Sequence, residues 1–333
     1  MNSVLAPIVQ FAASMAAHGL TPPESLVADG RIHRFSTNGK RSDTAGGYVL
    51  HLDQVAAGAF WDWRTGLYAT WCSRSADAMT PAERRMHEQR MAAHRSQSKR
   101  DKTAAMRKNR ERIDALWRAS VPVTEGDPVH TYLRGRGLIL ATVPDVLRLH
   151  PALDYWDFDD DGKAVKRGTY PAMLAAVQAE TFPDGPHMPG VLTIVALHRT
   201  YLTPEGKKAD VPTPKKLTGT TGDMRGAAIR LAAPAFIEGA YRLGVAEGIE
   251  TALAAAEGSG VPTWATVSAS GMKTFQWPRM PHELYVFADN DANETGQRAA
   301  RELERKANAC GVCVHTLIPP IEGSDWADVW QRR

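Results

Sequence analysis

Leu243-Gly-Val-Ala-Glu-Gly-Ile-Glu-Thr-Ala-Leu253 and Leu284-Tyr-Val-Phe-Ala-Asp-Asn-Asp291 are the stretches on which the reading of this chain turns. Each is a short apolar run that ends in acid, the pattern of a buried strand delivering carboxylates at its C-terminal end. Glu247 ends the first run, and Gly248 permits a tight turn into a helix expected from about Thr251. Asp289 and Asp291 end the second run two residues apart, so they share a face. In an open α/β sheet, ligands bind outside the carboxyl ends of the strands. Three carboxylates gathered there repel one another unless a divalent cation neutralises them, and an all-oxygen donor set favours Mg²⁺ or Mn²⁺.

The sequence around these runs alternates strand and helix. A helix is expected over 251–257, a strand over 263–268, then the segment Ser270-Gly-Met-Lys273, a strand over 284–288, a helix over 295–309 and a strand over 312–317. This order predicts a doubly wound parallel α/β sheet. Glu-Gly-x-Glu-Thr-Ala at 247–252, the Asp289-x-Asp291 pair followed by Gly296, and Asp325-Trp-Ala-Asp328 resemble the Toprim domain shared by DnaG-type primases, topoisomerases and some nucleases. The resemblance implies that Glu247, Asp289 and Asp291 are catalytic and hold the metal. It implies further metal contacts from Asp325 and Asp328, although that pair equally suits the cap of a terminal helix.

The whole chain has 333 residues, 43% of them hydrophobic and 23% charged, which fits a soluble protein of two or three domains. No apolar run approaches the roughly 20 residues of a membrane span, and the first twenty residues lack a basic region and cleavage site, so the expected location is the cytoplasm, away from membranes. Cys72 stands alone and Cys310 and Cys313 form one Cys-x-x-Cys, so no zinc site is expected. The net charge is only +3, but its distribution is uneven.

After an amphipathic stretch from Pro7 to His18, residues 32–72 alternate with period two between glycine turns, reading as a small β-rich module. It holds Phe35, Tyr48, Phe60, Trp61, Trp63, Tyr68 and Trp71 together with Arg34, Lys40, Arg41 and Arg64. Exposed aromatics interleaved with cations suit single-stranded nucleic acid, and Arg34, Trp61, Trp63 and Arg64 are the candidate contacts. The competing reading is a mini-core that needs its aromatics because it is small. The module resembles the amino-terminal segment of primase-like proteins of plasmids, phages and integrated elements, in the place where replicative primases carry a zinc ribbon.

Residues 74–118 read as a basic helical linker, with twelve Arg or Lys against five Asp or Glu between Arg74 and Arg112. From 119 to 240 an α+β subdomain is expected, with a basic glycine turn at Arg134-Gly-Arg136, a strand running into His198-Arg199, and a loop holding Lys207, Lys208, Lys215 and Lys216. The segments are therefore 1–73, 74–118, 119–240 and 241–333. By resemblance to the primase catalytic core, Arg199, Lys215 and Lys216 would grip nucleotide phosphates, and Arg134 and Arg136 would touch nucleic acid. An all-carboxylate site that handles polyphosphates needs such cations on its opposite wall.

The resemblance implies a stand-alone primase of mobile-element type. It would make short oligoribonucleotides on a single-stranded DNA template from ribonucleoside triphosphates, with a replicative helicase or relaxase as partner. No Walker loop occurs in the chain. The alternatives are a Toprim nuclease or phosphotransferase, and a catalytically silent single-stranded-DNA-binding module. Glu247 is read either as a metal ligand or as the group that accepts the proton.

Overall fold

In the amino-terminal module, period-two alternation can bury only one face of the sheet, so a partner for that face is required. The computed structural model, which describes residues 6–37, 39, 43–52, 55–74, 80–159, 163–181, 190–278 and 282–333 (backbone alone for part of 81–98), supplies it as a helix. The chain divides into two compact units, Met1–Arg100 and Asp101–Arg333.

In the first unit, α1 (Pro7–Ala17) begins on a proline, whose missing N–H costs nothing at a helix start. Strands β1 (His33–Phe35), β2 (Gly46–His51), β3 (Ala57–Asp62) and β4 (Leu67–Cys72) form an antiparallel meander in that order. Phe11 and Met15, one helical turn apart, pack on Phe35, Tyr48, Leu50 and Phe60 from one face of the sheet. These aromatics are therefore core, as the mini-core reading expects. Trp63 and Tyr68 are 69% and 67% exposed, as the nucleic-acid reading expects. Lys40 and Arg41 lie outside the described residues.

Within the 74–118 segment, helix α2 (Pro81–Arg118) starts at the Thr80-Pro81-Ala82-Glu83 stretch, where the sequence places a helix start, and residues 75–79 lie outside the described set. Its last turns are docked in the second unit. Ile113 is fully buried, Arg110 donates to the carbonyl of Ile194 at 2.7 Å, and Asn109 to that of Thr220 at 2.9 Å.

The second unit holds two sheets. The first is antiparallel, with β5 (Val121–Pro122), β6 (Leu147–Phe158), β7 (Ala164–Thr181), β8 (Val191–Tyr201) and β9 (Lys215–Leu217) in sequential order. One face packs Tyr155, Leu174, Leu197 and Tyr201 around Ile113. The other face packs Met173, Ala175, Val177 and Ala196 against α3 (Pro128–Gly135) and against the second sheet's elements.

The second sheet is built from β10 (Ala235–Ile237), β11 (Ala240–Ala246), β12 (Thr263–Ala265), β13 (Glu283–Phe287) and β14 (Cys313–Leu317). Strand β11 runs parallel to β12 and β13, β13 runs parallel to β14, and only β10 is antiparallel. Helix α4 (Ile249–Ser259) lies on the face shared with the first sheet, while α5 (Ala269–Lys273) and α6 (Thr295–Ala309) cover the other. Helices on both faces make this the doubly wound α/β sheet that the strand–helix alternation predicts. Helix α7 (Trp326–Gln331) closes the chain against α4.

Two elements, α4 and β12, differ in their bounds from the sequence reading. Helix α4 starts at Ile249 because Gly248 takes an extended conformation and acts as N-cap, and it stops where Gly260 turns left-handed at φ 71°. Strand β12 stops at Ala265 because Val267 has φ 70° and Ser268 caps α5 by accepting from Gly271 N–H at 3.0 Å. Among the described residues no helix is long and apolar enough to cross a membrane.

Candidate active site

Register sets the acidic side of the site. Ala246 pairs with Phe287, so Glu247 and Asp289 leave the carboxyl ends of adjacent parallel strands. Between the two aspartates, Asn290 is tied into the protein. Its amide donates to Pro319 O at 2.9 Å and its carbonyl accepts from Gln297 at 3.0 Å. Helix α6 comes close to Asp289: a Cβ on Gly296 would stand 3.1 Å from the Asp289 carbonyl oxygen, tighter than an ordinary van der Waals contact, so a larger residue there would press on the Asp289 backbone. The β-branched Val267 beside the site sits in the left-handed region, a strain of order 1–3 kcal/mol. It is held there by its N–H on Glu247 O at 2.9 Å.

A cavity of about 240 Å³ is lined by the carboxylates Glu247, Glu250, Asp289 and Asp325 and by Arg136, His198, Lys208 and Lys215. Its charges are crowded. Burial, then the charges of Glu247, Asp325, Asp291 and Asp328, pushes the Asp289 carboxyl up to about 7. Burial and Asp291 likewise raise Glu247, with Lys215 opposing them. Burial lowers Lys208, and neighbouring Lys215 and Arg136 add to this, so the cations lie within reach of one another. Burial, followed by Lys215, takes His198 down to about 4 and leaves its imidazole neutral at pH 7.

The donors fit a hard divalent cation in kind. All are carboxylate oxygens, and Asp289 Oδ1 is buried without a hydrogen-bond partner in the structure. Among the described residues, no three His, Cys, Asp or Glu side chains converge closely enough to ligate one ion.

Asp325 lines the cavity while serving as N-cap of α7, accepting from Asp328 N–H at 2.8 Å. Asp328 completes a capping box by accepting from the Asp325 N–H at 3.3 Å, and it faces Arg136 at 3.6 Å. The capping role read as the alternative for this pair is therefore present.

The expected cationic wall is placed differently. Lys215 lines the cavity, but Arg199 and Lys216 do not. On β8 and β9 successive side chains alternate, and Arg199 pairs with Lys216, so both project to the opposite face. There Arg199, only 8% exposed, donates to Leu217 O at 3.0 Å and to the Tyr201 hydroxyl at 3.4 Å. Lys216 donates to Trp156 O at 2.7 Å and lies 4.0 Å from the Tyr155 ring centre. Their neighbours of opposite parity, His198 and Lys215, face the cavity instead. Arg136 lines the cavity, whereas exposed Arg134 lines a separate cleft with Trp117 and Arg148.

Three cavity residues escaped the sequence reading as site residues, Glu250, His198 and Lys208, and so did Tyr132, which is bonded to Glu250. Glu250, 4% exposed, accepts from the Tyr132 hydroxyl at 2.5 Å and from Lys215 Nζ at 2.9 Å. The available signal was the second glutamate of Glu-Gly-x-Glu, on the first turn of a helix whose other residues there are apolar or small.

In the first unit, Arg34, Gly47, Trp61 and Tyr68 form one row across the four strands. A Cβ on Gly47 would meet the Trp61 ring at 2.5 Å, so glycine lets that ring lie flat over the sheet. The Arg34 guanidinium lies 6.0 Å from the Trp61 ring and 5.9 Å from Trp63, and Tyr68 stacks on Trp61 at 6.4 Å. Arg64 is instead engaged by Asp43 at 2.7 Å.

Residues 242–333 match the Toprim domain family, and residues 107–231 match a domain of unknown function (DUF7146). The DNA primase TraC of Escherichia coli is 32% identical over 141 residues, which is 41% of this chain and 13% of that protein. This chain thus matches only a small part of that relative's length. A DNA primase domain from Pseudomonas aeruginosa aligns at 16% identity and TM-score 0.37, over 60% of this chain and 66% of that one. The RNA polymerase domain of Mycobacterium tuberculosis primase DnaG aligns at 12% and TM-score 0.35, over 68% and 78%.

Proposed function

We propose, from a chain whose residues 242–333 are a Toprim domain, that the cavity is a nucleotidyl-transfer site of primase type, making short oligoribonucleotides on single-stranded DNA. The observation that carries this reading is the juxtaposition of Glu247 and Asp289 with Lys215, Lys208 and Arg136 across one cavity. Acid on one wall suits a divalent cation, and cations on the other suit a polyphosphate. The part-length similarity to the DNA primase TraC points the same way.

In this reading Glu247, Asp289 and Asp291 hold Mg²⁺ or Mn²⁺, with Asp325 beside them. The bound ion supplies a lowered pKa for the attacking 3′-hydroxyl and offsets charge on the phosphates. Lys215, Lys208 and Arg136 orient the incoming triphosphate. The 3′-oxygen bonds to the α-phosphorus as the bond to the β-phosphate oxygen breaks and pyrophosphate leaves. Glu247, raised above the ordinary carboxylate range by burial and Asp291, suits the released proton. Residues 241–333 contribute the acidic wall and 119–240 the basic one.

The row of Arg34, Trp61 and Tyr68 in the first unit, with Trp63 beside it, binds template: Trp63 and Tyr68 offer exposed faces for bases, and Arg34 offers charge. A helicase or relaxase supplied in trans would deliver the template. The test is incubation with single-stranded DNA, labelled ribonucleotides and Mg²⁺ or Mn²⁺. Short oligoribonucleotides that disappear in Asp289→Asn are expected. Degraded DNA would replace this reading with a nuclease, and bound but unchanged DNA with a silent binding module.

A further inference from the structure

Lys215 has a mechanical problem. It stands on a three-residue strand at the edge of its sheet and carries a flexible four-carbon stem. Lys208 and Arg136 share its cavity and repel its ammonium, while Glu247 on the far wall attracts it. Unrestrained, the ammonium would settle on Glu247 and occupy a carboxylate that the metal needs. Glu250 offers a competing anion, almost wholly buried and held on both oxygens. Oε1 accepts from the Tyr132 hydroxyl at 2.5 Å, and Oε2 accepts from Lys215 Nζ at 2.9 Å. Tyr132 is itself buried and comes from α3, so the carboxylate is clamped between two halves of the unit. A buried ion pair of this kind is weak evidence of stabilisation, since desolvation offsets most of the attraction. Its plainer consequence is that it fixes where a charge sits.

We infer that Glu250 is a positioning residue: with Tyr132 it fixes the Lys215 ammonium on the basic wall of the cavity, off Glu247, where it meets the phosphates of a nucleoside triphosphate. The inference rests on the reading of the cavity given under Proposed function. Glu250 acts through Lys215, so its effect must vanish when Lys215 is absent, whereas a purely structural glutamate would matter in either background.

The experiment is calorimetric binding of ATP with Mg²⁺ to the full chain, with a melting curve for each variant. Lys215→Ala should weaken ATP binding about tenfold, the loss of one charge-assisted contact. Glu250→Gln, isosteric and still able to hydrogen-bond, should weaken it roughly five- to tenfold at a near-native melting temperature. The double variant should match Lys215→Ala within about twofold. Tyr132→Phe, which frees one carboxylate oxygen, should weaken binding about threefold with Lys215 present and leave it unchanged without it; it decides the matter if Glu250→Gln does not fold. The inference is overturned if Glu250→Gln binds ATP as the wild type does, if its loss is the same in the Lys215→Ala background, or if the wild type binds no ATP. Wild-type protein that binds ATP with this coupling yet makes no oligoribonucleotide would sink the primase reading and leave the role of Glu250 standing.

Discussion

Asp289→Asn is the perturbation whose magnitude the structure best defines. The Asp289 carboxyl is raised from 3.8 to about 7, first by burial and then by the surrounding carboxylates. The folded protein therefore holds this proton more tightly than the unfolded chain does. Between about pH 4 and 7 folding takes up a proton, so the contribution to stability falls as pH rises through that window. Above pH 7 the full penalty is present. At 1.36 kcal/mol for each pH interval, the rise from 3.8 to about 7 sets an upper bound of about 4 kcal/mol. Water at the cavity mouth and the nearby cations screen part of it, leaving about 1–2 kcal/mol. Asparagine carries no charge and escapes the penalty. In EDTA at pH 8, the variant should therefore melt about 2–8 °C above the wild type, at the 2–4 °C per kcal/mol expected for a unit of this size. The gain should shrink steadily to pH 5. Adding Mg²⁺ should stabilise the wild type and leave the variant where it was. A variant that melts below the wild type at pH 8, or a difference that ignores pH, would refute the account of a crowded acidic wall.

Three further outcomes follow from the geometry. Arg199→Ala and Lys216→Ala should leave ATP affinity within about threefold, because both side chains project away from the cavity; Arg199→Ala should cost about 1–3 kcal/mol in denaturant unfolding by removing the donor to Leu217 O. Trp63→Ala and Tyr68→Ala should each weaken single-stranded DNA binding by about 1–3 kcal/mol in a fluorescence titration without lowering the melting temperature, while Trp61→Ala, which removes a buried ring, should lower both. Gly296→Ala should cost about 1–3 kcal/mol of overpacking against Asp289 and reduce the Mg²⁺-induced rise in melting temperature; an unchanged rise would show that the close approach of α6 does not set Asp289.

The doubly wound sheet was legible because its strands are short apolar runs alternating with helices, with Gly248 at the turn from the first acidic strand into its helix and Gly296 at the start of the helix after the second. Each glycine sits where a turn or close approach demands it, so local chemistry and tertiary fold agree. The acidic wall was legible for the same reason: Glu247 and Asp289 follow directly from where parallel strands end. The split between core and exposed aromatics in the first unit was only half legible. Parity separates Phe60 from Trp61, but nothing local says that Gly47 lets the Trp61 ring lie down and bury itself.

The basic wall shows the limit most clearly. Apart from Thr193, Val191 to Leu197 is apolar, and its inner residues are buried between two layers, so it has no alternation from which to read the facing of His198 and Arg199. Sequence alone determined that a basic strand and a lysine loop lie in the chain segment preceding the acidic strands. The tertiary structure decided that His198 and Lys215 enter the cavity while Arg199 and Lys216 leave it. It also joined Tyr132, Lys215 and Glu250 across as many as 118 residues of sequence. Such a clamp forms only when three elements pack, and no local pattern of the chain encodes it. Strand ends and turns are local consequences of backbone geometry, whereas the facing of a strand buried on both sides is settled only by what packs against it.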